Sequence, residues 1–276
     1  MRSDIFIPFA TYPDATGVAI AEPAMAVAKL LGRRIHALAL EVAIPDVSNF
    51  LSDILLDLPE MIRTAEATSR AHGTEVLSAF GTAALAAGIN LDTQKVESAP
   101  AAFGDTAAEL ARYHDLVLVF CHDETARMLA EGVVFGSGRP VLLLPHGKRL
   151  DAVPHVAVAW DGSSVAARAL ADALPFLSIT SGITVLTVTD EKPLADGDIG
   201  ERLAHRLRLK GLPAVSVGVA ASGQPVSAAL QSEAMRLGAD LLVMGGYGHS
   251  RLRDFVLGGA TSGVLDDLRM PVLMAH

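Results

Sequence analysis

The stretch GADLLVMGGYGHSRLRDFVLGGAT, residues 238–261, decides how the rest of the chain is read. It opens on an apolar run, Leu241 to Met244, entered through Asp240. A short apolar run without polar alternation is the mark of a strand buried on both faces. The run leads directly into a loop carrying Gly245, Gly248, Gly258 and Gly259. Glycines let backbone amides approach a ligand closely and accept positive φ. Successive amides in such a turn, with the free amides of a helix start behind them, suit an anion. Thr261 is expected to cap that helix, and His249, Arg251 and Arg253 add positive charge to the loop. The spacing is neither that of a P-loop nor that of the dinucleotide fingerprint. One glycine after a buried strand is ordinarily a tight turn, whereas several at a strand end facing a helix start point to a phosphate.

Working outward, strands are expected at 155–160, 183–189, 214–219, 240–245 and 271–275, with helices at 164–177, 196–210, 224–238 and 261–268. Ser163 is the expected cap of the first helix. Strands alternating with helices imply an α/β fold with a doubly wound parallel sheet. In such a sheet ligands sit beyond the carboxyl ends of the strands, where the strand order reverses.

The same rhythm occurs earlier in the chain. Asp115 enters the run Leu116 to Phe120 as Asp240 enters its own, and Pro140-Val141-Leu142 answers Pro271-Val272-Leu273. Ile5 to Phe9 and Val156 to Trp160 open the two copies. A polar, proline-bracketed segment from Pro145 to Pro154 reads as a linker. The expected division is therefore 1–147 and 153–276, two tandem Rossmann-like domains. The first copy is the longer, with the extra residues expected between Ser48 and Asn90, in a long Ala-rich helical region.

The bulk numbers agree. With 276 residues the chain can bury two cores without a disulfide or metal. A net charge of −9 argues against a general affinity for nucleic acid. Cys121 is the only cysteine, which fits a reducing compartment and a cytoplasmic location. No uninterrupted apolar run long enough to span a membrane is present in the sequence. Cys121, His122 and Asp123 are adjacent, but neighbours on an extended segment point to opposite faces and no second cysteine or histidine lies at ligand spacing, so no metal site is expected.

The pattern Gly245-x2-Gly248-x9-Gly258 resembles the nucleotide-binding signature of the ATP-binding branch of the universal stress protein family. The flanking residues, Gly238 to Gly245 before the loop and Pro271-Val272-Leu273 after it, resemble the family too. The resemblance covers the second half end to end, and the first in layout only. It implies that the second half binds ATP, with ADP and AMP as alternatives and Mg2+ as a companion of the phosphates. Gly245, Gly248, His249, Gly258, Gly259, Ala260 and Thr261 would then surround the phosphates. Gly259 stands where the family pattern has Ser or Thr, which removes a hydroxyl contact and keeps the amide. Asp161 would hold the nucleoside, Val188 would pair with the adenine edge through its backbone, and Ala159 and Met244 would line the pocket. Taken alone, Asp161-Gly162-Ser163 is an ordinary strand-to-helix turn.

The first half lacks these features: Ala10 stands in place of Asp161, and Cys121-His122-Asp123-Glu124 in place of the first glycines. The carboxylates of Asp123 and Glu124 would repel a phosphate. The resemblance therefore implies a first half that serves as partner to the second, as one subunit serves another in family dimers, through the last strands. No catalytic residue is singled out. An ATP-binding stress-response regulator, with a homodimer and a further protein partner left open, stands against two alternatives: a slow ATP hydrolase or nucleotide transferase, and a scaffold that binds nothing.

Overall fold

A computed structural model describes residues 4–13, 16–45, 58–190, 198–246 and 259–276. The chain divides into two compact units, Met1–Ser137 and Gly138–His276.

In the first unit the strands are β1 (Asp4–Ala10), β2 (Arg34–Val42), β3 (Leu91–Ser98) and β4 (Leu116–Cys121). The helices among its described residues are α1 (Ala21–Leu31), α2 (Leu58–Ala87), α3 (Phe103–Ala111) and α4 (Glu124–Gly136). The strand order is β3-β2-β1-β4, with parallel pairing between neighbours. Helix α2, at 30 residues, is the long helix expected in the first copy; its counterpart in the second unit has 11. Helices α3 and α4 meet glycine against glycine: a Cβ on Gly132 would lie 2.5 Å from the Gly104 Cα.

The second unit contains β5 (Val141–Pro145), β6 (His155–Ala159), β7 (Gly182–Val188), β8 (Ala214–Val219), β9 (Leu241–Gly245) and β10 (Val272–Ala275). Its helices are α5 (Ser164–Asp172), α6 (Leu174–Leu177), α7 (Ile199–Leu209), α8 (Val226–Arg236) and α9 (Gly259–Asp266). The order is β5-β10-β9-β6-β7-β8, parallel throughout except that β5 runs antiparallel to β10, Val272 opposite Leu143. The last strand expected of the first copy thus lies against the last strand of the second.

One helix expected over 164–177 is divided at Ala173 into α5 and α6. Pro175 has no amide to donate back along the helix and restricts the residue before it, so the helix restarts there. Each strand set has a buried core of Val, Ile, Leu and Ala; Val156, Ala157, Leu241, Leu242 and Val243 are fully enclosed.

The aspartate that enters β4 and β9 has a structural reason. Asp115 Oδ2 accepts from the Asp4 amide at 3.0 Å, and Asp240 Oδ2 accepts from the His155 amide at 2.9 Å. In both units this carboxylate ties the start of the first strand to the start of its neighbour, so the repeated Asp marks a repeated clamp.

Candidate functional site

In the second unit the chain builds β6, β7 and β8 to one side and then crosses back to lay β9 on the other side of β6. The order reverses between β6 and β9, and a crevice is expected beyond the carboxyl ends of those two strands. Val156 pairs with Leu241 and Val158 with Val243, which brings the residues after Ala159 beside Gly245 and Gly246.

The approach of these segments is close. A Cβ added to Gly245 would lie 2.7 Å from the Ala166 nitrogen and 2.8 Å from the Val165 carbonyl carbon, in the first turn of α5. Only glycine lets the end of β9 pass so near a helix start. Gly246 then donates to the Ala275 carbonyl at 2.7 Å, which continues the β9–β10 ladder past the strand end.

Asp161 is exposed at the β6 end, and its Oδ1 accepts from the Ser163 amide at 2.9 Å. Ser163 caps α5, its Oγ accepting from the Ala166 amide at 3.2 Å. Gly162 between them has φ of 78°, the left-handed conformation that this turn requires. One oxygen of the Asp161 carboxylate is thus committed to this turn. Ala159 and Met244 are buried at the ends of β6 and β9, and Val188 is half-buried at the end of β7.

Gly248, His249 and Gly258 lie outside the described residues, with Arg251 and Arg253. Helix α9 begins at Gly259, two residues before the expected cap. Thr261 is consequently in the first turn rather than at the cap, and it is buried. Ala260 beside it is half-buried. The helix is held from behind: a Cβ on Gly263 would lie 2.3 Å from Ser227 Oγ of α8. Fully buried Gln231 donates to the Asp267 carbonyl at 2.8 Å and accepts from the Arg269 amide at 2.9 Å.

One residue at this end of the sheet was not singled out from the sequence. Asp190, just past β7, accepts from the Ala221 amide at 2.8 Å and the Ser222 amide at 2.9 Å. These two bonds, Ser222 first, hold its carboxyl below the usual range although it is exposed. Ser222 has φ of 52° and Gly223 of 80°, so the turn after β8 is folded back onto the end of β7, close to Val188. The signal was a carboxylate two residues beyond an apolar strand, the same placement as Asp161.

The first unit has the same reversal, between β1 and β4. Ile5 pairs with Leu116 as Val156 pairs with Leu241. The shared register sets Ala10 at the place of Asp161, Phe120 at that of Gly245 and Cys121 at that of Gly246. Ala10 and Phe120 are buried there. The cavity they line with Pro8, Phe9, Val119 and Leu129 measures about 10 Å³, room for a water at most. Thr11 turns inward, donating to the Leu40 carbonyl at 2.9 Å and lying 2.6 Å from Ser69 Oγ. Helix α4 begins at Glu124, three residues past β4, with Asp123 as its cap, the carboxylate accepting from the Ala126 amide at 2.7 Å. His122 Nε2 lies 2.8 Å from the other Asp123 oxygen. Cys121 retains some exposure as a residue, yet burial of the thiol, and then the Asp123 charge, push it up to about 12. Among the described residues no group of His, Cys, Asp and Glu is arranged to hold a metal, and no helix is long and apolar enough to cross a membrane.

Residues 153–276 match the Universal stress protein family. No curated protein matches the chain. A universal stress protein from Archaeoglobus fulgidus DSM 4304 has a similar structure, with a TM-score of 0.71, 18% identity, and coverage of 99% of this chain and 97% of that one. A functionally unknown protein from Pseudomonas aeruginosa PAO1 is also similar, at a TM-score of 0.52, 16% identity, and 98% and 92% coverage. At these identities the likeness concerns the fold, two α/β halves in tandem.

Proposed function

We propose that this chain, which belongs to the universal stress protein family through residues 153–276, is a stress-response regulator that binds one adenine nucleotide in its second unit and none in its first. The observation that carries the proposal is the contrast between the two strand reversals. In the second, Asp161 and the glycines at the end of β9 stand side by side at the crevice. In the first, the register puts Ala10 and Phe120 at those places and the cavity they line has room for a water at most.

In this reading the free oxygen of Asp161 takes a ribose hydroxyl, and Val188 offers its backbone to the adenine edge. Asp190 keeps the turn after β8 folded beside Val188. The phosphates lie toward Gly248, Gly258 and the first turn of α9, where backbone amides meet a negative charge. Ala260 and Thr261 sit in that turn, and Mg2+ would arrive on the phosphates of ATP. The first unit then serves as a partner for the second, as the family resemblance implies.

Calorimetric titration with ATP and with AMP tests the assignment. A hydrogen bond to a charged group is worth about 1.5–3 kcal/mol, so Asp161→Ala should weaken both nucleotides by roughly 10- to 100-fold. Ser163→Ala removes the helix cap and keeps the carboxylate; it should lower stability and leave both affinities nearly intact. Equal affinities in wild type and Asp161→Ala would end the nucleoside role of Asp161.

A further inference from the structure

We propose that Asp190 is a positioning residue of the nucleotide site, holding the turn after β8 as the wall against which the adenine ring is placed; this rests on the nucleotide reading of the second unit. In that reading the base lies at the end of β7, where Val188 offers its backbone. Val188 is paired with Val219, the last residue of β8, and the Thr189 amide donates to the Val219 carbonyl at 3.0 Å. The turn that follows β8 therefore begins beside Val188.

The two sides of the sheet are distinguished by packing. A Cβ on Gly200 of α7 would lie 2.7 Å from Thr187 Oγ1 and 2.5 Å from Ser216 Oγ, so Thr187 faces α7. Side chains alternate along a strand, so Val188 faces the other side, where α8 packs on β7. Helix α9 lies on that side as well, its Gly263 against Ser227 in the first turn of α8. Val188, the turn that opens α8 and the first turns of α9 thus share one face and one end of the sheet.

The turn is held in a conformation that its sequence does not favour. The Gln224 amide donates to the Ala221 carbonyl at 2.9 Å, and the two residues between, Ser222 and Gly223, both have positive φ. Glycine takes that conformation freely, whereas a residue with a side chain resists it. Ser222 is the one non-glycine residue with positive φ among the described residues. Asp190 compensates, its two oxygens accepting from the Ala221 and Ser222 amides. Such strain persists where the surroundings over-determine it, and it collects at ligand clamps.

The first unit supplies the contrast. Ile35 lies opposite Ile5 as Ile183 lies opposite Val156, so Leu40 stands at the place of Val188 and Val42 at that of Asp190. The Leu40 carbonyl is taken by Thr11, and the Val42 amide donates to Ser69 Oγ at 2.8 Å. The carboxylate is present in the unit proposed to bind and absent from the other.

The test is calorimetric titration of the full chain with ATP and with AMP. Asp190→Ala should weaken both nucleotides by about tenfold, and by the same factor, because the phosphates lie elsewhere. Asp190→Asn keeps one acceptor oxygen and should lose less, about threefold. Ser222→Gly removes the cost of the positive φ, so in the Asp190→Ala background it should restore about fivefold. Thr180→Ala is the control for stability alone. Thr180 Oγ1 donates to the Pro154 and Gly182 carbonyls at the opposite end of β7; its loss should lower the melting temperature and leave both affinities unchanged. Wild type that binds neither nucleotide overturns the site and this role with it. Wild type that binds, with Asp190→Ala binding equally well, overturns the role of Asp190 alone. So does a loss confined to ATP, or a loss that Ser222→Gly does not recover.

Discussion

Gly245→Ala is the substitution on which the geometry of the crevice bears most directly. The added Cβ would stand 2.7 Å from the Ala166 nitrogen, 2.8 Å from the Val165 carbonyl carbon and 2.9 Å from Val165 Cγ2. Ordinary contact begins at 3.4 Å, so β9 and α5 must separate by 3.4 − 2.7 = 0.7 Å. The valine methyl can rotate away, but the other two atoms are backbone. The Ala166 amide is held by the Ser163 cap at 3.2 Å, and Gly245 by its pairing with Ala275. Overpacking of this kind costs about 1–3 kcal/mol, and the backbone contacts place this case near the upper figure. For a unit of this size about 3 kcal/mol corresponds to a fall of roughly 6–12 °C in melting temperature. Urea unfolding followed by circular dichroism reads the change as a lower midpoint with an unchanged slope. A variant that unfolds at the wild-type midpoint would refute the close approach of β9 to the start of α5.

Gly81→Ala is the opposite case, since a Cβ there meets nothing within 4 Å on the exposed side of α2; it should stabilise by about 0.5–1 kcal/mol in the same assay. Asp4 is pushed up by burial, but the His114 hydrogen bond and charge, the Asp115 amide and Arg34 outweigh this and hold its carboxyl below 3.8. A lowered carboxylate stabilises fully above its unfolded pKa and is lost as pH falls through the folded one, so wild type should lose stability from about pH 4 downward. Asp4→Asn should be less stable at neutral pH and show a shallower acid limb in urea midpoints. With its thiol at about 12, native Cys121 should resist iodoacetamide at pH 8 and react on unfolding; rapid labelling of the folded chain would contradict its buried placement.

Much of the second unit was legible because its strands are short apolar runs separated by amphipathic helices, and because Asp240 and Asp115 repeat. The clamp onto the first strand's amide explains why that aspartate repeats, and this required the three-dimensional register. β3 was not legible, since LDTQKVES alternates like a loop-facing edge and buries little. The division of α5 from α6 hangs on Pro175, whose effect on a helix depends on what the neighbouring turn can tolerate. The candidate site divided in the same way. Asp161 and Gly245 could be named because a carboxylate and a glycine at strand ends are visible in one dimension. The burial of Thr261 in the first turn of α9 could not be, nor the folding of the turn after β8 onto Asp190, because both depend on packing from elements distant in sequence. The departure of the first half from this pattern was visible as Ala10, while its counterpart in space, Phe120 at the place of Gly245 and Thr11 turned into the sheet, was not.

The central claim is tested most directly by titrating nucleotide-free protein with ATP and Mg2+ in a calorimeter and reading the stoichiometry. About one nucleotide per chain, reduced to none detectable by Asp161→Ala combined with Gly248→Val, is the predicted result. Two per chain would contradict the closed first unit, and none in the wild type would contradict the nucleotide site altogether.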